Sequence, residues 1–201
     1  GIGRAAGTSP SVAVALQRDR RQRAPDDFPE QLSELLSYFA GEPKGPFPML
    51  RDRFFHAVDP WLLGSSMQSS IWAAEMGLPY VFAHHFSGQG TEEALATYRE
   101  EFRPSEFADK PTTFMTVNAC VAETRDEAEQ LIRPNLQMMA WLRTGEPLRA
   151  LDLVEDSEKN QLTPQQQAIV AAGMQRAVLG APEEAAAQIR ELATHFGVDE
   201  V

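Results

Sequence analysis

The stretch Gly64-Ser65-Ser66-Met67-Gln68-Ser69-Ser70 concentrates the residue types that hold an anion. Glycine lets a backbone come close to a ligand, and four hydroxyls lie within six residues. The stretch follows a short apolar run and precedes a helical pattern, so Ser65 and Ser66 fall where a helix begins. A helix start carries unpaired N–H groups and the positive end of the peptide dipoles. The same residues also suit a plain capped helix with a polar surface.

His84-His85 is the second candidate. The pair closes an aromatic, apolar run, and strand alternation would send the two rings to opposite sides. A general acid, a cofactor contact and a satisfied core imidazole all remain open. No other His or Cys stands at metal-ligand spacing from them, so no metal site is expected. Cys120 lies within an apolar run with nothing nearby in sequence to activate it, and reads as a small buried hydrophobe. Trp61, Trp72 and Trp141 read as packing residues.

These residues need elements to position them. Trp61-Leu62-Leu63 predicts a strand, and Met67 to Met76 a helix closed by Gly77. Pro79 to Phe86 predicts a second strand, apolar on both faces as buried parallel strands are. Thr91-Glu92-Glu93 opens a helix with Leu95, Tyr98 and Phe102 on one face, ended by Arg103-Pro104. Thr112 to Ala122 reads as one long strand. A long helix follows from Thr124, striped by Ala128, Leu131, Ile132, Leu136, Met139 and Leu142, with a kink expected at Pro134. Residues 144–162 read as acidic and irregular. Thr163-Pro164-Gln165-Gln166 carries an N-cap, a first-turn proline and a capping-box glutamine. The last helix opens at Ala181-Pro182 and stops at Gly197, and Val198 to Val201 reads as the lead-in to a strand. Before Trp61, helices are expected after Thr8-Ser9-Pro10 and from Phe28 to Phe39, with a Pro-rich excursion over 42–57.

Alternating strands and helices predict an α/β domain with parallel strands, taken as one domain over 1–201. The 201 residues include 18 Lys+Arg against 29 Asp+Glu, a net charge of −11. Such a surface repels phosphate backbones, which argues against nucleic-acid partners. The basic cluster Arg18, Arg20, Arg21 and Arg23 reads as a solvated face. No apolar run approaches the ~18 residues of a membrane span. One cysteine excludes a disulfide framework and fits a reducing, cytoplasmic setting.

Four stretches together resemble the flavin-dependent luciferase-like monooxygenases. They are Gly1-Ile2-Gly3-Arg4-Ala5-Ala6-Gly7-Thr8; Trp61 to Ser66 followed by Ala73-Ala74-Glu75-Met76-Gly77-Leu78-Pro79; Tyr80 to Phe86; and Gly180-Ala181-Pro182-Glu183. The resemblance implies a (β/α)₈ barrel, with the candidate residues at the C-terminal face of its strands. Aligned with that pattern, the chain carries strands four to seven, and the expectation is an incomplete barrel of about four parallel strands with outer helices. The resemblance also implies a monooxygenase that oxidises a small organic substrate with O2 and reduced FMN, the FMN being reduced by a separate flavin reductase. Arg4 matches the position that pairs with the flavin phosphate, Gly64, Ser65, Ser66 and Ser69 match its phosphate-cradling turn, and His84 and His85 stand as catalytic candidates. An acidic residue occupies the place of Ser65 in luciferase proper. A deazaflavin (F420) hydride-transfer enzyme on the same barrel and a non-catalytic flavin-binding remnant are the alternatives. An open sheet edge would favour a homodimer.

Overall fold

The computed structural model describes residues 1–4, 10–16, 27–41, 58–86, 88–147 and 149–201. In chain order its elements are β1 (Ile2–Gly3), α1 (Pro10–Leu16), α2 (Phe28–Phe39), β2 (Leu62–Gly64), α3 (Met67–Glu75), β3 (Tyr80–Phe82), α4 (Thr91–Glu101), β4 (Thr113–Met115), β5 (Ala119–Val121), α5 (Arg125–Arg143), α6 (Val154–Ser157), α7 (Pro164–Arg176), β6 (Val178–Gly180) and α8 (Pro182–Phe196). The Arg18–Arg23 cluster, the Pro-rich excursion and residues 5–8 of the first resembling stretch lie outside the described residues. The chain resolves into two compact units. One comprises Gly1–Val81 with Ala96–Pro111, the other Phe82–Leu95 with Thr112–Val201.

In the first unit β1 and β2 pair in parallel, Ile2 beside Leu62 and Gly3 beside Leu63. The Leu62 N–H donates to the Pro79 carbonyl at 2.9 Å, tying β2 to the segment entering β3. Leu62, Ala73, Ala74, Leu78, Tyr80 and Tyr98 are buried here. Alanines at 73 and 74 let α3 lie close to its strands. The Tyr98 hydroxyl, buried with its ring, donates to the Leu78 carbonyl at 2.9 Å, so its polar end is satisfied.

In the second unit β5 and β6 pair in parallel, Ala119 beside Val178 and Val121 beside Gly180. A parallel bridge joins Phe114 and Glu200, so the segment expected to lead into a strand does reach one. Helix α5 packs Ala128, Ile132 and Leu136 against Ala177 and Leu179, with Cys120, Ala122, Val170 and Met174 around them. Each large apolar side chain fully buried there stabilises the unit by roughly 1.5–3 kcal/mol. Thr163 accepts from the Gln166 N–H while the Gln166 side chain accepts from the Thr163 N–H, the capping box read in the sequence. Helix α5 runs unbroken from Arg125 to Arg143 with Pro134 inside it and buried.

Three expectations change. Thr112 to Ala122 is two strands, because its partner changes partway. The Thr116 N–H donates to the Phe82 carbonyl at 3.0 Å, whereas from Ala119 onward the chain pairs with β6. Val178–Gly180, to which the sequence reading assigns no element, is a strand. The second predicted strand stops at Phe82, and 84–86 form a turn. The α/β alternation with parallel strands holds, spread over six short strands among the described residues.

Candidate functional site

The β2-to-α3 turn is held by its own side chains. Ser66 is the N-cap, in extended backbone, and its hydroxyl accepts from the Ser69 N–H. The Ser69 hydroxyl accepts from the Ser66 N–H at 3.3 Å and donates to the Ser66 carbonyl at 2.6 Å. The Ser70 hydroxyl donates to the Met67 carbonyl at 2.7 Å. Ser69 and Ser70 are buried, while Ser65 and Ser66 are exposed. The four hydroxyls therefore divide into an outer pair and an inner pair. With Ser66 and Ser69 N–H groups taken within the turn, those of Met67 and Gln68 are the first-turn donors left for an outside acceptor. A Cβ at Gly64 would fall on the Ser69 side chain, so glycine is what allows β2 to leave this close to α3.

Arg4 follows β1 directly. The register that sets Gly3 beside Leu63 puts Arg4 at the level of Gly64, at the same end of the strands as Ser65. Its guanidinium carbon lies 5.9 Å from the centre of the Trp72 ring, and Trp72 in turn packs on Phe28 at 5.4 Å between ring centres. A cation over an indole face is held without losing its charge. Trp72, read as a packing residue, thus also positions Arg4.

In the second unit His84 and His85 sit in the turn after β3, stabilised by His84 N–H to the Phe82 carbonyl and Phe86 N–H to the Ala83 carbonyl. In this turn, not in a strand, the two rings take different partners. His84 is 6% exposed. Its Nδ1 lies 2.8 Å from the Thr91 hydroxyl oxygen, and that hydroxyl donates to the Gly88 carbonyl at 3.0 Å. With its one proton committed, Thr91 accepts, so Nδ1 carries the hydrogen and Nε2 keeps the lone pair; the tautomer follows from this pattern. Burial, with Arg176 and His85 adding to it, holds the His84 pKa below the ordinary 6.5. His85 bonds through Nδ1 to the Thr116 hydroxyl at 2.7 Å and stacks on Phe86. Burial lowers its pKa also. Both rings are neutral hydrogen-bonding groups near pH 7.

His84 lines a cleft of about 460 Å³ together with Gln175, Arg176, Gln188, His195 and Phe196. The volume suits a small organic molecule. His195 pairs with Glu92 at 2.8 Å. Sequence reading singled out neither Arg176 nor Thr91 nor Thr116 as a site residue. Thr91 and Thr116 are legible only through contacts, and Arg176 reads as an ordinary basic residue ending a helix. Among the described residues no group of three or more His, Cys, Asp or Glu is arranged to hold a metal. No helix there is long and apolar enough to cross a membrane.

Parallel strands alternating with helices make an α/β scaffold of the barrel type. The chain belongs to the luciferase-like monooxygenase family, whose sequence profile matches residues 1–200. That family is one of oxidoreductases, generally binding a flavin-type cofactor. The chain is 36% identical over 204 residues to the uncharacterized protein YvbT of Bacillus subtilis (strain 168), covering all of this chain and 59% of that protein. A luciferase-like monooxygenase of Escherichia coli (strain K12) is 34% identical over 146 residues, 73% of this chain and 43% of that protein. The crystal structure of apo-MsnO8 superposes with a TM-score of 0.80 at 29% identity, over 98% of this chain and 59% of that one. The chain thus spans about three fifths of the length of YvbT and MsnO8.

Proposed function

We propose that the chain holds FMN for a monooxygenase that oxidises a small organic substrate with O2, the reduced flavin coming from a separate reductase. The observation that carries this reading is the Arg4 and Gly64–Ser70 arrangement. Arg4 follows β1 at the strand end where two helix N–H groups and the exposed Ser65 and Ser66 hydroxyls face outward, and a glycine keeps the turn tight. Those donors fit a phosphate monoester, which is bound by charge-assisted bonds and helix N-termini. Ser66, Met67 and Gln68 would take phosphate oxygens, Arg4 would balance their charge, and Ser69 would hold the turn from beneath.

The bound flavin supplies the oxygen and redox chemistry. The chain supplies binding, orientation and exclusion of water. His84 and His85 are assigned to the substrate side. His84, fixed by Thr91 with its Nε2 as acceptor, can take a hydrogen bond or a proton from a substrate in the cleft it lines; His85, tied to Thr116, orients what it contacts. A homodimer in the cytoplasm belongs to the same reading.

Loading with each cofactor tests it. FMN retained through gel filtration gives bands near ~370 and ~450 nm, whereas selective retention of a deazaflavin gives one band near ~420 nm and moves the function to hydride transfer. Retention of neither rejects cofactor binding by this chain.

A further inference from the structure

We propose that Arg143 and Arg176 form a recognition point for the oxyanion, carboxylate or phosphate, of a small ligand seated in the cleft beside His84. The proposal goes beyond the flavin reading and rests on the second unit alone.

Arg143 ends α5 and Arg176 ends α7. Both border one shallow depression together with His85 and Asn118, and Arg176 also lines the larger cleft. Arg176 thus borders both. The depression itself has room for about 10 Å³, so a ligand's body belongs in the cleft, with its anionic head toward the arginines.

The two cations lack the compensation found elsewhere. Arg125, Arg149, Lys159 and His195 each have a carboxylate partner. Among the described residues, neither the exposed Arg143 nor the half-buried Arg176 pairs with a carboxylate, and Arg103, Arg133 and Arg190 have none either, so what sets Arg176 apart is the burial of its Nε. Glu191 lines the cleft without pairing to Arg176. The Arg176 Nε is buried with no acceptor, a costly condition for a donor. Burial and the neighbouring Arg143 both push the Arg176 pKa down, as two like charges brought together do. The C-terminal ends of α5 and α7 attract cations, which explains why arginine is tolerated there, but they leave the Nε–H unsatisfied. The adjacent imidazoles are neutral and add no negative charge.

The Arg176 stem is also held in place. A Cβ on Gly88, whose φ is +69°, would come within 2.6 Å of Arg176 Cδ and 3.1 Å of His84 Cε1. Packing thus restricts the side chain before any ligand arrives, and a preorganised guanidinium fork matches two oxygens of one anion.

Isothermal titration calorimetry of the flavin-free protein with benzoate and with inorganic phosphate tests the proposal. Saturable binding of at least one anion is expected, weakened about tenfold or more in Arg143→Gln and in Arg176→Gln and unchanged in Arg125→Gln. Arg176→Lys keeps charge and stem but loses the fork, and should fall between parent and Arg176→Gln; with Arg143→Gln it carries the test if Arg176→Gln fails to fold. Preference for benzoate or for phosphate identifies the oxyanion. No saturable binding of either anion, or binding that survives both glutamine substitutions, overturns the proposal. Because flavin is absent throughout, failure here is separable from failure to retain FMN.

Discussion

The Ser69 hydroxyl lies 2.9 Å from the Tyr80 phenol oxygen, in a buried contact that ties the start of α3 to the start of β3. Ser69 already gives its proton to the Ser66 carbonyl, so the phenol is the donor. Burial, partly offset by the Ser69 hydroxyl, pushes the Tyr80 pKa up to about 12, and the phenol stays protonated through the physiological range. The turn that faces outward with Ser65 and Ser66 is thus braced from inside by a tyrosine eleven residues further on.

Tyr80→Phe should cost about 0.5–1.5 kcal/mol of stability, the net worth of one hydrogen bond. Ser69 keeps its bond to Ser66, so the fold survives. Urea melts followed by circular dichroism measure the cost; no change in midpoint would show that the phenol does not brace the turn.

Gly64→Ala should be worse. The added methyl meets the Ser69 side chain, and a displaced Ser69 loses its place in the capping box. Overpacking of this kind costs about 1–3 kcal/mol, together with weaker FMN retention. A variant as stable as the parent and equally retentive would show that the turn can shift at little cost.

The histidine turn makes stability depend on pH. Folding lowers the His84 and His85 pKa values from 6.5, so below that value the unfolded chain binds more protons than the folded one. Their contribution is complete above about pH 6.5 and is lost as the pH falls toward the depressed folded values. Thermal midpoints should therefore drop on going from about pH 7 to pH 5, and His84→Gln should flatten that slope. An unchanged slope in the variant would assign the acid sensitivity to other groups.

The sequence made the helices legible where they carry their own punctuation. Thr163-Pro164 with Gln166, and Ala181-Pro182 with Gly197, mark α7 and α8 through local rules that tertiary contacts do not override. Strand ends were less legible, because a strand stops where its partner does. Nothing in Thr116 announces that pairing passes from Phe82 to β6, and three residues of β6 are too few for a period. The outward serines of the turn were readable as an N-cap. The inward role of Ser69 depends on Tyr80, and the tautomer of His84 depends on Thr91 and Gly88, none of which spacing alone reveals.

The central claim is that Arg4 and the Gly64–Ser70 turn hold the phosphate of FMN. Equilibrium titration of FMN fluorescence with parent protein and with Arg4→Ala tests it most directly. The parent should bind saturably, with a loss of roughly 1.5–3 kcal/mol in the variant, about tenfold to a hundredfold in Kd, as for a charged hydrogen bond removed. A Kd unchanged by Arg4→Ala, or no FMN binding by the parent, would contradict it.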